Sequence, residues 1–178
     1  MFMIFYRNIL GLAGLALCVF VMICNSSQNV YAMDNEPKEF RGMNWTMNIK
    51  ELSDMHLIAS EGDNKFFEKK NDVLNIGDAR ASKIVYGFYK DSFYSLFIYY
   101  DGLVNFSKFK NIYIERYGEA FQPNEYVNRF SWDGNDVDIL LTYDDILKNG
   151  RIVYFYKPTL SIIEHDEKEN AQKGAADL

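Results

Sequence analysis

The chain has 178 residues and carries 19 Lys and Arg against 25 Asp and Glu, a formal net charge of −6. That acidity argues against a nucleic-acid surface, which needs a basic patch, and against adhesion to anionic lipid. Both cysteines, Cys18 and Cys24, lie near the N-terminus, so the remaining chain has no disulfide, thiol nucleophile or cysteine metal site.

Residues 1–32 read as a secretory signal. Arg7 is their only charge, Ile9 to Cys24 is an apolar run, and polar Asn25 to Asn29 precedes Val30-Tyr31-Ala32. Val30 and Ala32 suit the small subsites of signal peptidase, which places cleavage after Ala32 and the product in the periplasm or outside the cell. Two other readings stand beside this one. The run could be an uncleaved anchor, although it is short of the roughly 20 apolar residues a span needs. Cys24 could carry a lipid, although bulky Ile23 precedes it. With the leader removed, no membrane span is expected.

The rest divides into a flexible polar start at 33–39, one domain at 40–158 and a charged tail at 159–178 expected to be disordered or a fraying helix. Phe40 to Trp45 reads as a short strand bent at Gly42. Asn48 to Asp54 suits two helical turns, with Asn48 as N-cap and Glu51 three positions on. His56–Ser60 and Lys65–Lys69 form a strand pair around Glu61–Asn64. Asn71 to Asp78 reads as loop, with a brief strand at Val73 to Ile76.

The middle is strand-rich. Ser82 to Lys90 puts Ile84, Tyr86 and Phe88 on one face, and Asp91-Ser92 is the expected hairpin turn. In the following strand Leu96, Ile98 and Tyr100 oppose Phe93, Phe97 and Tyr99. A helix is predicted over Asn105–Tyr117, because Phe106, Phe109, Tyr113 and Tyr117 form one apolar stripe. Gly118 ends it as a left-handed residue. Val127–Asp133 and Asp136–Asp144 are strands joined at Gly134-Asn135, the second alternating Val137, Ile139, Leu141 and Tyr143. Gly150 leads the last strand, Arg151 to Lys157, which Pro158 stops. The predicted fold class is α+β: an antiparallel sheet of about six or seven strands with one long and one short helix on one face. The two halves follow a similar plan, as a diverged duplication would.

The span from Phe106 to Phe155 runs helix, Tyr117-Gly118, Phe130-Ser-Trp132, Ile139-Leu-Leu-Thr-Tyr143 and Gly150-Arg-Ile-Val153. It resembles the small exported lipoproteins of SmpA/OmlA type, which belong to the outer-membrane assembly machinery and have a helix followed by three strands. The resemblance covers about a third of the chain and implies that fold and an envelope compartment.

No catalytic, cofactor-binding or metal-binding set is predicted. His56 lacks a Gly-x-Ser-x-Gly elbow to partner it. His165-Asp166-Glu167 are adjacent residues that do not converge on one ion as an i, i+4 pair would. Trp132 to Asp138 has glycine and Val137 in the wrong slots for an EF-hand loop. Asp144-Asp145 and Asp133, Asp136 and Asp138 are paired carboxylates only in a general sense. Aromatic residues make up 16% of the chain, with 13 tyrosines. One reading places these rings in a core without disulfides, hydroxyls at its rim. The other gives Tyr89, Tyr94, Tyr99, Tyr126 and Tyr156 a partner face. The expected function is an exported, non-enzymatic domain binding another envelope protein, a peptide or a glycan. The alternatives are a small carboxylate-dependent hydrolase and a structural subunit of an envelope complex.

Overall fold

The computed structural model describes residues 33–176, so the expected leader, the expected cut after Ala32 and Cys24 lie outside the described residues. The order is β1 (Glu39–Phe40), β2 (Met43–Asn44), a 3-10 turn (Ile49–Glu51), β3 (Met55–Glu61), β4 (Asn64–Lys69), β5 (Asn75–Ile76) and β6 (Ala79–Arg80). It continues with β7 (Lys83–Tyr89), β8 (Ser92–Asp101), α1 (Leu103–Tyr117), β9 (Arg129–Asp133), β10 (Val137–Asp144), β11 (Asn149–Tyr156) and α2 (Lys157–Ala176). Seven strands form one antiparallel sheet in the order β3-β4-β7-β8-β11-β10-β9. The fold is α+β. Each half ends on a central strand, and β8 and β11 pair where the halves meet.

The β7–β8 hairpin turns at Lys90-Asp91, one residue before the expected Asp91-Ser92. Both turn residues take positive φ, 48° and 68°, which matches the twist of a two-residue hairpin. A bulge follows: Gly87 faces Ser95 and Phe88 faces Phe93, leaving Tyr94 as an extra residue. One inserted residue reverses the alternation before it. Phe93 therefore joins Leu96, Ile98 and Tyr100 in the core, against the expectation that it shares a face with Phe97 and Tyr99.

α1 starts two residues before the predicted Asn105 and buries the stripe Phe106, Phe109, Tyr113 and Tyr117. Phe109 lies 5.0 Å from Tyr100, Phe106 stacks on Tyr143 at 5.0 Å, and Tyr113 meets Trp132 at 5.7 Å. Gly118 has the expected positive φ of 81° but ψ −170°, so the chain leaves extended rather than left-handed. Trp132 Nε1 donates to the Gly118 carbonyl at 2.8 Å and locks that exit to β9.

Much of the tyrosine content serves this core. Tyr154 donates to the Tyr113 hydroxyl at 2.6 Å, and burial pushes both phenols well above their ordinary value. Tyr100 donates to the Thr142 carbonyl at 2.7 Å, a contact that Gly150 permits, since a Cβ there would overlap the Tyr100 ring and the Thr142 carbonyl.

Asn48 and Glu51 form the predicted capping box, but the helix is a single 3-10 turn because Leu52 is already extended, φ −112° and ψ 122°. The stretch from Asp72 holds the small β5–β6 hairpin around Gly77. It is tied down by Arg41, which donates to Asp72 and the Asn75 carbonyl, and by Tyr86, which donates to Asp72 at 2.7 Å.

Of the two readings of the tail, disordered segment or helix, Lys157–Ala176 takes the helical one. Pro158 stops the strand and stands at the helix start, where its missing N–H leaves no bond unmade. Asp166 accepts from the Tyr89 hydroxyl and from Lys90 Nζ, each at 2.7 Å. α2 is thereby fastened to the β7–β8 turn.

Candidate functional site

The face of the sheet away from α1 carries a second, thinner apolar layer. Cross-strand register aligns Val85, Phe97, Val153, Leu140 and Ser131 in one row. Val85 and Val153 are buried yet stand outside the main core cluster. Phe97 meets Phe66 and Phe155 edge-on at 6.0 Å each.

The neighbouring row on the same face is Lys83, Tyr99, Arg151, Thr142 and Arg129, one residue from each of five adjacent strands. Lys83 pairs with Glu68 at 2.8 Å. Among the described residues Arg129 and Arg151 make no ion pair and no side-chain hydrogen bond, and both are exposed. This row borders an open depression of about 710 Å³, lined also by Asp101, Val127, Asn128, Asp144 and Asn149.

The loops at that end of the sheet present apolar side chains to solvent. The β10–β11 turn exposes Ile146 (90%) and Leu147; the loop before β9 exposes Tyr126 (87%) and Val127; the start of α1 exposes Leu103 and Val104. These are six of the eleven large exposed apolar residues among the described residues. Specific bonds bring the three segments together. Gly102 N–H donates to the Lys148 carbonyl at 2.8 Å, Asn128 Nδ2 to Asp145 Oδ2 at 2.7 Å, and Tyr143 N–H to the Asn128 carbonyl at 2.9 Å. The turn is itself pinned. Asp144 Oδ1 accepts from Leu147 and Ile146 N–H at 2.9 and 2.8 Å, and these bonds hold its carboxyl below the usual range. A rigid turn therefore holds two aliphatic side chains in water, where nothing in the local fold shelters them.

The five tyrosines proposed as a partner face do not form one. Tyr89 and Tyr94 are buried, with hydroxyls bonded to Asp166 and to Asn64 Oδ1. Tyr156 stacks on Trp45 at 6.0 Å at the core edge. Tyr99 and Tyr126 remain, at the end of the sheet just described. Alternation along a strand could not separate them, because the bulge at Tyr94 and the docking of α2 are both non-local.

Three of the carboxylates, Asp138, Asp144 and Asp145, have structural work. Asp144 and Asp145 hold the β10–β11 turn, and Asp138 pairs with Lys157 at 2.8 Å. Gly134-Asn135 is more than a hairpin turn: the N–H groups of Asn135, Asp136 and Val137 converge on the Glu36 carboxylate. His56 sits on exposed edge strand β3, beside Glu68, Lys69 and Lys70. His165 is exposed on α2, near Asp166 and Glu169. Among the described residues no group of three or more His, Cys, Asp and Glu is placed to hold a metal ion, and no helix is long and apolar enough to cross a membrane. Comparison with family models, with curated proteins and with solved structures gives no match.

Proposed function

We propose that this chain is an exported, non-enzymatic binding domain of the cell envelope that docks a protein partner through the loop end of its sheet. The carrying observation is the gathering of Ile146, Leu147, Tyr126, Val127, Leu103 and Val104, from three separate segments, at one end of the molecule. Scattered single apolar residues are normal on a surface, but a contiguous apolar group rimmed by polar residues marks an interaction site. Charged and polar residues line the depression that Val127 borders: Arg129, Arg151, Asn128 and Asp101. That is the composition of an interface with an apolar centre and a polar rim. The depression beside it is broad and open, which suits a macromolecule better than an enclosed small ligand. The leader supports export. The order of α1 followed by three antiparallel strands supports the resemblance to SmpA/OmlA-type envelope domains.

The test is a photo-crosslinking residue placed at Ile146 in the exporting cell, with the same residue at exposed Lys70 as control. Expected is a discrete adduct at Ile146 only. Binding of the identified partner to the purified chain should then fall at least about tenfold with I146D/L147D, as for interface positions worth over 1 kcal/mol. An unchanged affinity for that double variant overturns the reading.

A further inference from the structure

We infer that Arg129 and Arg151 form a carboxylate-reading pair, so that the partner contributes an acidic extended segment whose apolar side chains meet the exposed loop residues. This rests on the docking end proposed above and names the chemistry of what it binds. The two arginines stand in one row on either side of Thr142, two strands apart, hence about 10 Å between their Cα atoms. Their side chains leave the sheet on the same face because strictly paired antiparallel residues share a face.

Of the 18 Lys and Arg among the described residues, Lys50, Lys65, Lys83, Lys90, Lys108, Lys157, Lys173 and Arg41 pair with an acid and ten do not. Of those ten, Arg129 and Arg151 are the two that border the depression. Asp101 and Asp144 line the same depression, yet neither pairs with an arginine among the described residues. Asp144 faces the N–H groups of its own turn, Asp145 accepts from Asn128, and Asp101 ends β8.

Guanidinium is weakly hydrated and presents a planar fork that matches a carboxylate in two parallel bonds. Thr142, small and half-buried, leaves the floor between the two forks low, and the Tyr99 ring flanks Arg151. A bare polyanion would satisfy the cations and leave Val127, Ile146 and Leu147 wet. A protein segment with acidic and aliphatic residues satisfies both.

The probes are two fluorescein-labelled octapeptides, one alternating glutamate with leucine and one alternating glutamine with leucine, titrated with the exported chain. The glutamate peptide should bind about tenfold tighter, the scale of a hydrogen bond to a charged group. In R129Q/R151Q the two peptides should bind alike, with an unchanged melting midpoint because neither side chain has a partner to lose. R129K/R151K, which keeps the charge without the fork, should retain only part of the preference. Equal binding of both peptides by the wild type overturns the carboxylate pair; the docking end is judged separately by I146D/L147D on the crosslinked partner. No glutamate preference, together with binding to phosphatidylglycerol vesicles that R129Q/R151Q abolishes, overturns the acidic segment in favour of a lipid surface.

Discussion

The Glu36 carboxylate accepts the backbone N–H of Val137 at 2.6 Å, across 101 residues of chain. The same carboxylate takes the N–H of Asp136 at 2.6 Å and of Asn135 at 2.9 Å. Gly134 is glycine for this reason: a Cβ there would lie 2.6 Å from the Glu36 carboxylate and 2.5 Å from the Val137 carbonyl. The N-terminal segment is thus strapped to the β9–β10 turn by one side chain.

Removing that strap should cost stability in a pH-dependent way. Partial burial raises the Glu36 pKa, but the backbone bonds from Asn135, Asp136 and Val137 together outweigh it, and the net shift is below the ordinary 4.5. A folded pKa below the unfolded one gives stability that is present above the unfolded value and lost as pH falls through the folded one. Glu36→Ala should lower the melting midpoint at neutral pH by a few degrees, the scale of about 1 kcal/mol for a lost carboxylate cap. The gap between wild type and variant should close in acid below the folded pKa. Thermal melts across pH measure it, and a gap that does not depend on pH would contradict the strap.

Phe109 should prove a core anchor. It is fully buried against Tyr100 in the centre of the α1 stripe. Phe109→Ala removes ring contacts and leaves a cavity, costing about 3–5 kcal/mol. Chemical denaturation reads this directly; an unchanged midpoint would mean that α1 does not depend on its stripe for docking.

Gly150 should resist any side chain. Gly150→Ala places a methyl group against Tyr100 and the Thr142 carbonyl, and overpacking of this kind costs about 1–3 kcal/mol. Tyr100→Phe removes only the hydroxyl bond to Thr142, leaving that carbonyl short of one donor, and should cost about 1 kcal/mol. Combining Gly150→Ala with Tyr100→Ala should cost less than the two single changes together, because the overlap with the ring disappears while that with the Thr142 carbonyl remains. Denaturation of these variants and of Tyr100→Ala alone tests this, and additive losses would refute the close approach.

The C-terminal helix should undock when Asp166 is lost. The Lys90 and Tyr89 hydrogen bonds hold the Asp166 carboxyl below its ordinary value, so the contact is present at neutral pH and is lost as pH falls through that lowered value. Truncation after Asn170 should leave amide protection around Leu160 intact. Truncation after Ile163, or Asp166→Asn, should reduce it. Hydrogen exchange that is equal in all three would show α2 held by other means.

Sequence alone determined the parts of this fold that depend on neighbours along the chain. The Phe106, Phe109, Tyr113 and Tyr117 stripe, the Asn48–Glu51 capping box and the alternation of Val137, Ile139, Leu141 and Tyr143 each need only a helical or strand period to be read. Tertiary structure decided the rest. Phe93 changes face because one bulge residue shifts the register, and no residue type announces that shift. Gly134 reads as a turn glycine, yet its partner is Glu36. The tail carries no apolar stripe, and its helix is fastened by the Asp166 carboxylate to a turn 76 residues away and by Lys157 to Asp138 and the Gly134 carbonyl. The candidate site lay furthest from reach. Ile146, Val127 and Leu103 are unremarkable in their own segments, and come to one end of the sheet only when Gly102 meets Lys148 and Asn128 meets Asp145. Periodicity reports which side of an element is apolar; which ends of different elements come together is set by long-range pairing, which local pattern does not encode.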